Sequence, residues 1–150
     1  MNNPSSNIAH SIQGTWWLVS REDHTKDGQK RIDPVLGPDP VAILVYAKDH
    51  FAAQFMKKDR SPDSFIQNSG VRQNNTAAMG GYDAYFGTFR VDPDTNLVVH
   101  TLIGSINPAN VGMTVNRNLH VEGDQLIIQL ETTTQEGEPV TRTLKWKRIN

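Results

Sequence analysis

An arginine inside an alternating apolar segment is the strongest chemical signal in this 150-residue chain. In the segment Val111 to Val121, Arg117 shares one face of a predicted strand with the apolar residues Met113, Val115 and Leu119. Because side chains of a strand alternate between its two faces, the pattern predicts that Arg117 points into the interior. An unpaired buried charge costs several kcal/mol, so this guanidinium needs an anion, aromatic faces or water beside it.

Two interpretations of Arg117 follow from that requirement. In the first, Arg117, together with Arg142 near the open end, receives the carboxylate or another oxygenated end of a mainly apolar ligand in bidentate geometry. In the second, an internal salt bridge or a network of water molecules holds Arg117 in place. The sequence leaves both interpretations open.

His100 and Tyr85 are the candidates for proton transfer if the protein is an enzyme, because histidine titrates near neutrality and tyrosine can polarise a carbonyl. The alternative for His100 is a hydrogen-bonded structural histidine. The predicted binding residues are Arg117, Arg142, His100, Tyr85, Gln54, Phe89, Met113 and Val115. Ser20 is a further predicted lining group.

Eight predicted strands must position these side chains. Their predicted ranges are 14–22, 41–47, 51–56, 83–91, 97–103, 111–121, 125–131 and 140–149. A short helix is predicted over 4–13, where Pro4 suits the first turn and Gly14 ends the segment. The segments 23–40 and 57–82 have the composition of long loops, and the second leaves room for another short helix after Ser61.

The lengths of the connections favour an up-and-down β-barrel over a sandwich. Successive connections of such a barrel alternate between its two ends, and here every second connection is long while the others are tight turns. The fold class predicted is therefore all-β, an eight-stranded antiparallel up-and-down barrel with an open mouth edged by loops.

Alternation also assigns faces on three other strands. It places Tyr85, Gly87, Phe89 and Val91 inward on the fourth strand. On the last strand it places Val140, Arg142, Leu144 and Trp146 inward. On the fifth strand it offers Val98, His100 and Leu102, although the opposite face is equally apolar.

Several segments together resemble a known family. They are Gly14-Thr15-Trp16, the stretch from Gly37 to Tyr46, Tyr85 to Phe89, His100 to Ser105, Pro108, and Gly112 to Arg117. This pattern spans nearly the whole chain and resembles the bacterial and fungal lipocalin-like domain family of small cytosolic proteins. The resemblance implies an eight-stranded lipocalin or calycin-like barrel with an interior cavity, and an Arg148 or Lys147 side chain over Trp16.

The same resemblance implies two functions. Related barrels carry small apolar molecules, or act without cofactors as isomerases or cyclases on hydrophobic natural products. The expected partner is accordingly a small hydrophobic or amphipathic molecule. The sequence leaves open whether the protein forms a homodimer.

Composition limits the remaining choices. The formal net charge of −1 gives no long-range attraction to nucleic acid or to an anionic membrane, so neither is expected as a partner. The chain has no cysteine and the five histidines stand apart, so no metal site and no cofactor are predicted. The length favours a single domain that spans residues 1–150. The polar N-terminus lacks a secretory signal, so a cytoplasmic location is expected.

Overall fold

The computed structural model describes residues 4–60 and 80–149. Helix α1 spans Pro4–Ser11 and is followed by β1 over Gly14–His24 and the two-residue β2 at Lys30–Arg31. The remaining strands are β3 Val41–Ala47, β4 His50–Met56, β5 Tyr82–Val91, β6 Val98–Ser105, β7 Thr114–Glu122, β8 Gln125–Thr133 and β9 Pro139–Arg148. A 3-10 turn, Pro108–Asn110, precedes β7.

Eight of these strands close into an antiparallel barrel. Each of β3 to β8 pairs with its successor, and β1 pairs with β3 through its first residues and with β9 along most of its length. Strand β2 only extends the sheet beside the end of β1. The predicted barrel, its eight strands and the N-terminal helix are therefore confirmed, while the helix suggested after Ser61 lies outside the described residues.

The tight-turn end of the barrel is closed by residues next to α1. Ile12 and Trp16 are fully buried there, and the Trp16 indole Nε1 donates to the Ile12 carbonyl at 2.9 Å. The Arg148 guanidinium lies 4.2 Å from the Trp16 ring centroid and donates to the carbonyls of Gln13 at 2.6 Å and Ser11 at 2.9 Å. The arginine expected over Trp16 is thus Arg148, and it ties the last strand to the helix.

A β-bulge in β1 changes which residues face the interior. Leu18 lies opposite Trp146 and Ser20 opposite Lys145, so Val19 is an extra residue without a partner on β9. A bulge moves the following residues onto the other face of the strand. The prediction that Ser20 lines the interior is therefore wrong, because the bulge turns it outward.

The same bulge turns two charged side chains inward. Arg21 and Asp23 follow Val19 and are 8% and 5% exposed. Neither residue was predicted to be interior, because uninterrupted alternation from Trp16 places them outside. Charge therefore collects inside the barrel near the open end.

The loop between β2 and β3 folds into that open end. Asp33 Oδ1 accepts from the backbone amides of Val35 at 2.7 Å and Leu36 at 3.2 Å, and the Gly37 amide donates to the Asp33 carbonyl at 2.9 Å. This turn buries the Val35 and Leu36 side chains almost completely, each 1% exposed. A segment with the composition of a surface loop thus supplies part of the core.

Among the described residues, no helix has the length and apolar composition needed to cross a lipid bilayer.

Candidate functional site

The barrel encloses a cavity that extends to the loop end, where Asn110 and Met113 border it. The cavity has a volume of about 100 Å³, several times the space that one water molecule needs. Most of its wall is apolar or aromatic, including Leu44, Phe51, Phe55, Leu102, Ile128 and Trp146. An apolar cavity with a few polar groups is the usual form of a small-molecule site.

Arg117 lines this cavity, as its strand alternation predicts. Its side chain is half-buried, and Nη1 donates to the backbone carbonyl of Asn116 at 3.0 Å. Within residues 4–60 and 80–149 no carboxylate forms an ion pair with it. Burial lowers the pKa of Arg117, and the nearby Arg142 lowers it further. The second interpretation of Arg117 named an internal salt bridge or a network of water molecules, and the salt bridge is absent from this described part of the chain.

The two other arginines of the cavity wall do have carboxylate partners. Arg142 donates from Nε to Asp23 Oδ1 at 2.8 Å and from Nη2 to Asp23 Oδ2 at 2.9 Å. Arg21 Nη2 lies 3.4 Å from Asp33 Oδ2. Burial lowers the pKa of Arg21, and the positive charge of Arg142 lowers it further. The carboxylates of Asp33 and Asp23 oppose this change. Arg142, predicted as a ligand-binding residue, is therefore neutralised by Asp23.

Asp83 is a carboxyl group of the cavity wall that takes part in neither of these ion pairs. It is 4% exposed, and its Oδ1 has no hydrogen-bond partner among the described residues. Burial raises the pKa of Asp83 to about 7, against the opposing field of Arg21 and a hydrogen bond from the Ala84 amide. Asp83 is thus protonated in part of the molecules near neutral pH.

His100 lines the cavity next to Tyr46 rather than as a partner of Tyr85. The Tyr46 hydroxyl and His100 Nε2 share a hydrogen bond of 2.6 Å. Burial lowers the pKa of His100 to about 3, helped by the positive charge of Arg117, so the ring is neutral at physiological pH. Its Nδ1 has no partner among the described side chains and backbone groups.

Tyr85 also faces the cavity, and the Phe51 ring packs against both Tyr85 and His100. The Phe51 ring centroid is 4.5 Å from that of His100 and 6.0 Å from that of Tyr85. Burial raises the pKa of Tyr85 to about 12, and the neighbouring Asp83 contributes to the rise. The structure therefore gives the predicted proton-transfer pair no direct contact with each other.

Most of the predicted binding residues come together in the structure. Arg117, Arg142, His100, Tyr85, Met113 and Val115 all line the cavity. Phe89 is buried in the core beside it, with its ring centroid 5.0 Å from that of Tyr46. That these residues bind a ligand stays a prediction.

Gln54 is the exception. It is exposed on the outer face of β4, where its side-chain oxygen accepts from the Tyr82 hydroxyl. The alternating burial of β4 shows why: Phe51, Ala53 and Phe55 take the inner face. The prediction that Gln54 lines the interior is wrong.

Sequence reasoning missed four charged residues of this region. Asp83 had a usable signal, because it lies two residues before Tyr85 and alternation places both on the inner face of β5. Arg21 and Asp23 depend on the bulge at Val19, and Asp33 depends on how its loop folds. These three had no periodic signal.

The comparison with protein families agrees with the geometry. No functionally curated protein matches the chain. The profile of the lipocalin-like domain family matches residues 13–149, which span β1 through β9 and therefore the whole barrel. The chain belongs to the lipocalin-like domain family, whose barrel suits the binding of small molecules in general.

Proposed function

We propose that the barrel binds a small, mainly apolar molecule with a carboxylate or carbonyl group at one end, and that Arg117 holds this polar end. The observation that carries the proposal is the lack of a carboxylate partner for Arg117 in the described part of the chain, although its side chain lines the cavity. A guanidinium removed from water favours an anion beside it.

The surroundings of Arg117 suit a ligand of that shape. Tyr46, Tyr85 and His100 supply neutral polar groups, because the pKa shifts of all three oppose ionisation at physiological pH. Most of the remaining wall is apolar and can cover a hydrocarbon chain or ring. Fixed polar groups that orient a ligand and an apolar wall that excludes water are the two requirements of a specific small-molecule site.

Two carboxylate probes of different shape test the proposal, octanoate and 2-naphthoate, each compared with its uncharged amide, octanamide or 2-naphthamide. Isothermal titration calorimetry should show at least one acid binding, more tightly than its amide. Arg117→Gln should weaken binding of that acid by roughly tenfold or more, the usual loss for a charge-assisted hydrogen bond, and change amide binding little.

Arg90→Gln is the matched control, because Arg90 is an exposed arginine on the outer face of β5. It removes the same charge and should leave both affinities unchanged. If neither acid binds, or if Arg117→Gln and Arg90→Gln behave alike, the proposal is overturned. Native mass spectrometry of protein purified from its own host then identifies the natural ligand.

A cofactor-independent isomerase or cyclase is the second candidate function. The observation that favours it is Asp83, a buried carboxyl group of the cavity wall whose pKa of about 7 suits proton transfer near neutrality. His100 is a weaker candidate, because its pKa of about 3 makes it a poor base. The test is conversion of a host metabolite by the wild type, followed by mass spectrometry, which should be lost in Asp83→Asn if this function is correct and retained in Asp27→Asn.

A further inference from the structure

We infer that the cavity takes up an anion together with a proton, and that Asp83 is the group that binds the proton. The inference rests on the proposed function and adds how that site is regulated. It makes ligand affinity depend on pH, with tighter binding on the acidic side of neutrality and release on the alkaline side.

The charged groups at the open end of the barrel balance only when Asp83 is ionised. Of the described arginines, three have guanidiniums that line the cavity, Arg21, Arg117 and Arg142. Asp33 pairs with Arg21 and Asp23 pairs with Arg142, which leaves Arg117 and Asp83. With Asp83 ionised, these six groups carry no net charge. With Asp83 protonated, they carry one positive charge, which matches a monoanion.

The neighbouring groups that favour the ionised form of Asp83 do not offset the effect of its burial. Its Oδ1 has no hydrogen-bond partner among the described residues, and Arg21, the guanidinium that most favours ionisation, is already paired with Asp33. A buried carboxylate without full hydrogen bonding is costly, and protonation removes that cost. Asp83 can therefore gain or lose a proton without breaking either ion pair.

Among the residues that the structure describes, the other elements packed around Asp83 add no further carboxylate or amine inside the barrel. Its register partner on β4 is Phe55, and the neighbouring inward residue of its own strand is Tyr85. Arg60, from the connection after β4, donates to the Gly80 carbonyl at 2.8 Å and lies over the ring of Tyr82, whose side chain alternates to the opposite face. Asp33 and Arg142 act on Asp83 through space, in opposite directions.

Binding of an anion at Arg117 and binding of a proton at Asp83 are coupled. An anion bound at Arg117 adds negative charge to the cavity that Asp83 lines, and like charges in a poorly solvated space repel. Binding therefore favours the protonated form of Asp83, and protonation of Asp83 favours binding by the same factor, because linkage between two sites is reciprocal. An uncharged ligand adds no negative charge and is not coupled in this way.

The experiment measures binding of the carboxylate probe at several values between about pH 6 and about pH 8.5, where a free carboxylic acid is fully ionised. The dissociation constant of the wild type should rise by roughly tenfold across this range, the size of one charge interaction in a partly buried site. The matching amide should bind with little pH dependence. Titrations in two buffers with different ionisation enthalpies should show net proton uptake near neutral pH.

Two variants identify the group. Asp83→Asn mimics the protonated carboxyl group, so its affinity for the acid should stay at the wild-type acidic value at every pH, without proton uptake. Asp27→Asn removes the charge of an exposed aspartate and should behave as the wild type. Because proton uptake is measured on the wild type, the inference remains testable even if Asp83→Asn does not fold.

The outcomes separate the inference from the function on which it rests. If neither acid binds at any pH, both are overturned. If an acid binds through Arg117 with an affinity that does not change with pH and without proton uptake, the proposed function stands and the proton coupling is overturned. If Asp83→Asn keeps the wild-type pH dependence, the proton binds elsewhere and the assignment to Asp83 is overturned.

Discussion

Arg142 and Asp23 lie opposite each other across the seam where β9 and β1 close the barrel, and their side chains form two parallel hydrogen bonds of 2.8 and 2.9 Å. Both side chains are 6% exposed. Either charge alone would be buried without compensation, so the two must enter the interior together. The pair therefore favours the register in which the first and last strands meet.

Removing one partner of this pair should be strongly destabilising. Asp23→Asn leaves the Arg142 guanidinium buried without a carboxylate, which should lower the free energy of unfolding by about 3 kcal/mol in urea denaturation. The apolar double variant Asp23→Leu with Arg142→Met should lose less than the sum of the single changes, because it leaves no unpaired charge. Glu22→Gln is the control, since Glu22 contacts Lys30 at the surface and should change stability little. Equal losses for Asp23→Asn and Glu22→Gln would contradict the role of the buried pair.

Only one partner of this ion pair could be located from the sequence. Alternation located Arg142 on the inner face of β9, because apolar residues flank it at every second position. It failed for Asp23, because the preceding bulge at Val19 inserts one residue and reverses the faces. In the run from Ser20 to His24 both faces are polar, so the sequence has no contrast from which the reversal can be read.

A second irregularity, between Phe86 and Gly87 on β5, requires glycine at one position. A Cβ at Gly87 would lie 1.8 Å from the Thr101 carbonyl oxygen, and that backbone cannot move without disturbing the pairing of β5 with β6. Gly87→Ala should therefore lower the free energy of unfolding by at least about 3 kcal/mol or prevent folding.

Gly104→Ala is the informative comparison for Gly87→Ala. A Cβ at Gly104 would meet the Phe86 ring at 2.3 Å, but that ring is 53% exposed and can rotate away. Its cost should be about 1 kcal/mol, measured by the same urea denaturation. If both alanine variants are equally destabilised, the backbone contact at Gly87 is not the cause.

The loop that carries Val35 and Leu36 shows another limit of prediction. The turn at Asp33-Pro34 could be anticipated from its residue types, since aspartate before proline favours a turn. Which apolar residues of a loop enter the core is decided by the space left between strands, and that space depends on the whole barrel. The open-ended barrel was predictable from connection lengths, whereas the loop residues that fill part of its mouth were not.

Leu36→Ala tests the contribution of this loop. Leu36 is 1% exposed and lines the cavity, so its truncation should cost about 2–4 kcal/mol of unfolding free energy and enlarge the cavity. Ile32, which is 57% exposed on the same loop, supplies the control Ile32→Ala with little expected change. A loss below about 1 kcal/mol for Leu36→Ala would mean that the loop leaves the barrel readily.

Arg117 should lower the free energy of unfolding of the ligand-free protein, although it contributes to ligand binding. Arg117→Met replaces a half-buried guanidinium, which has no carboxylate partner in the described residues, with an apolar chain of similar length. The ligand-free variant should be as stable as the wild type or more stable by about 1 kcal/mol in urea denaturation, while its affinity for the carboxylate probe falls. A marked loss of stability would indicate that Arg117 has a structural role instead.

The stability of the free protein should depend on pH through two buried groups that act in opposite directions. Asp83 has a folded pKa of about 7, above the unfolded value of about 3.9. The folded state therefore binds more protons, and the stability that Asp83 contributes is full below about pH 4 and is lost as pH rises to about 7. His100 has a folded pKa of about 3, below the unfolded value of about 6.5, so its contribution is present above about pH 6.5 and is lost as pH falls.

Between about pH 4 and about pH 6.5 the two slopes, each at most about 1.4 kcal/mol per pH unit, should largely cancel in the wild type. Asp83→Asn leaves only the His100 effect, so its stability should rise clearly with pH across that window and exceed the wild type at about pH 8. Urea denaturation at closely spaced pH values measures both curves, with Asp27→Asn as the control for a lost surface charge. Parallel curves for the wild type and Asp83→Asn would show that Asp83 titrates alike in the folded and unfolded states, and would remove the physical basis for coupling its proton to anion binding.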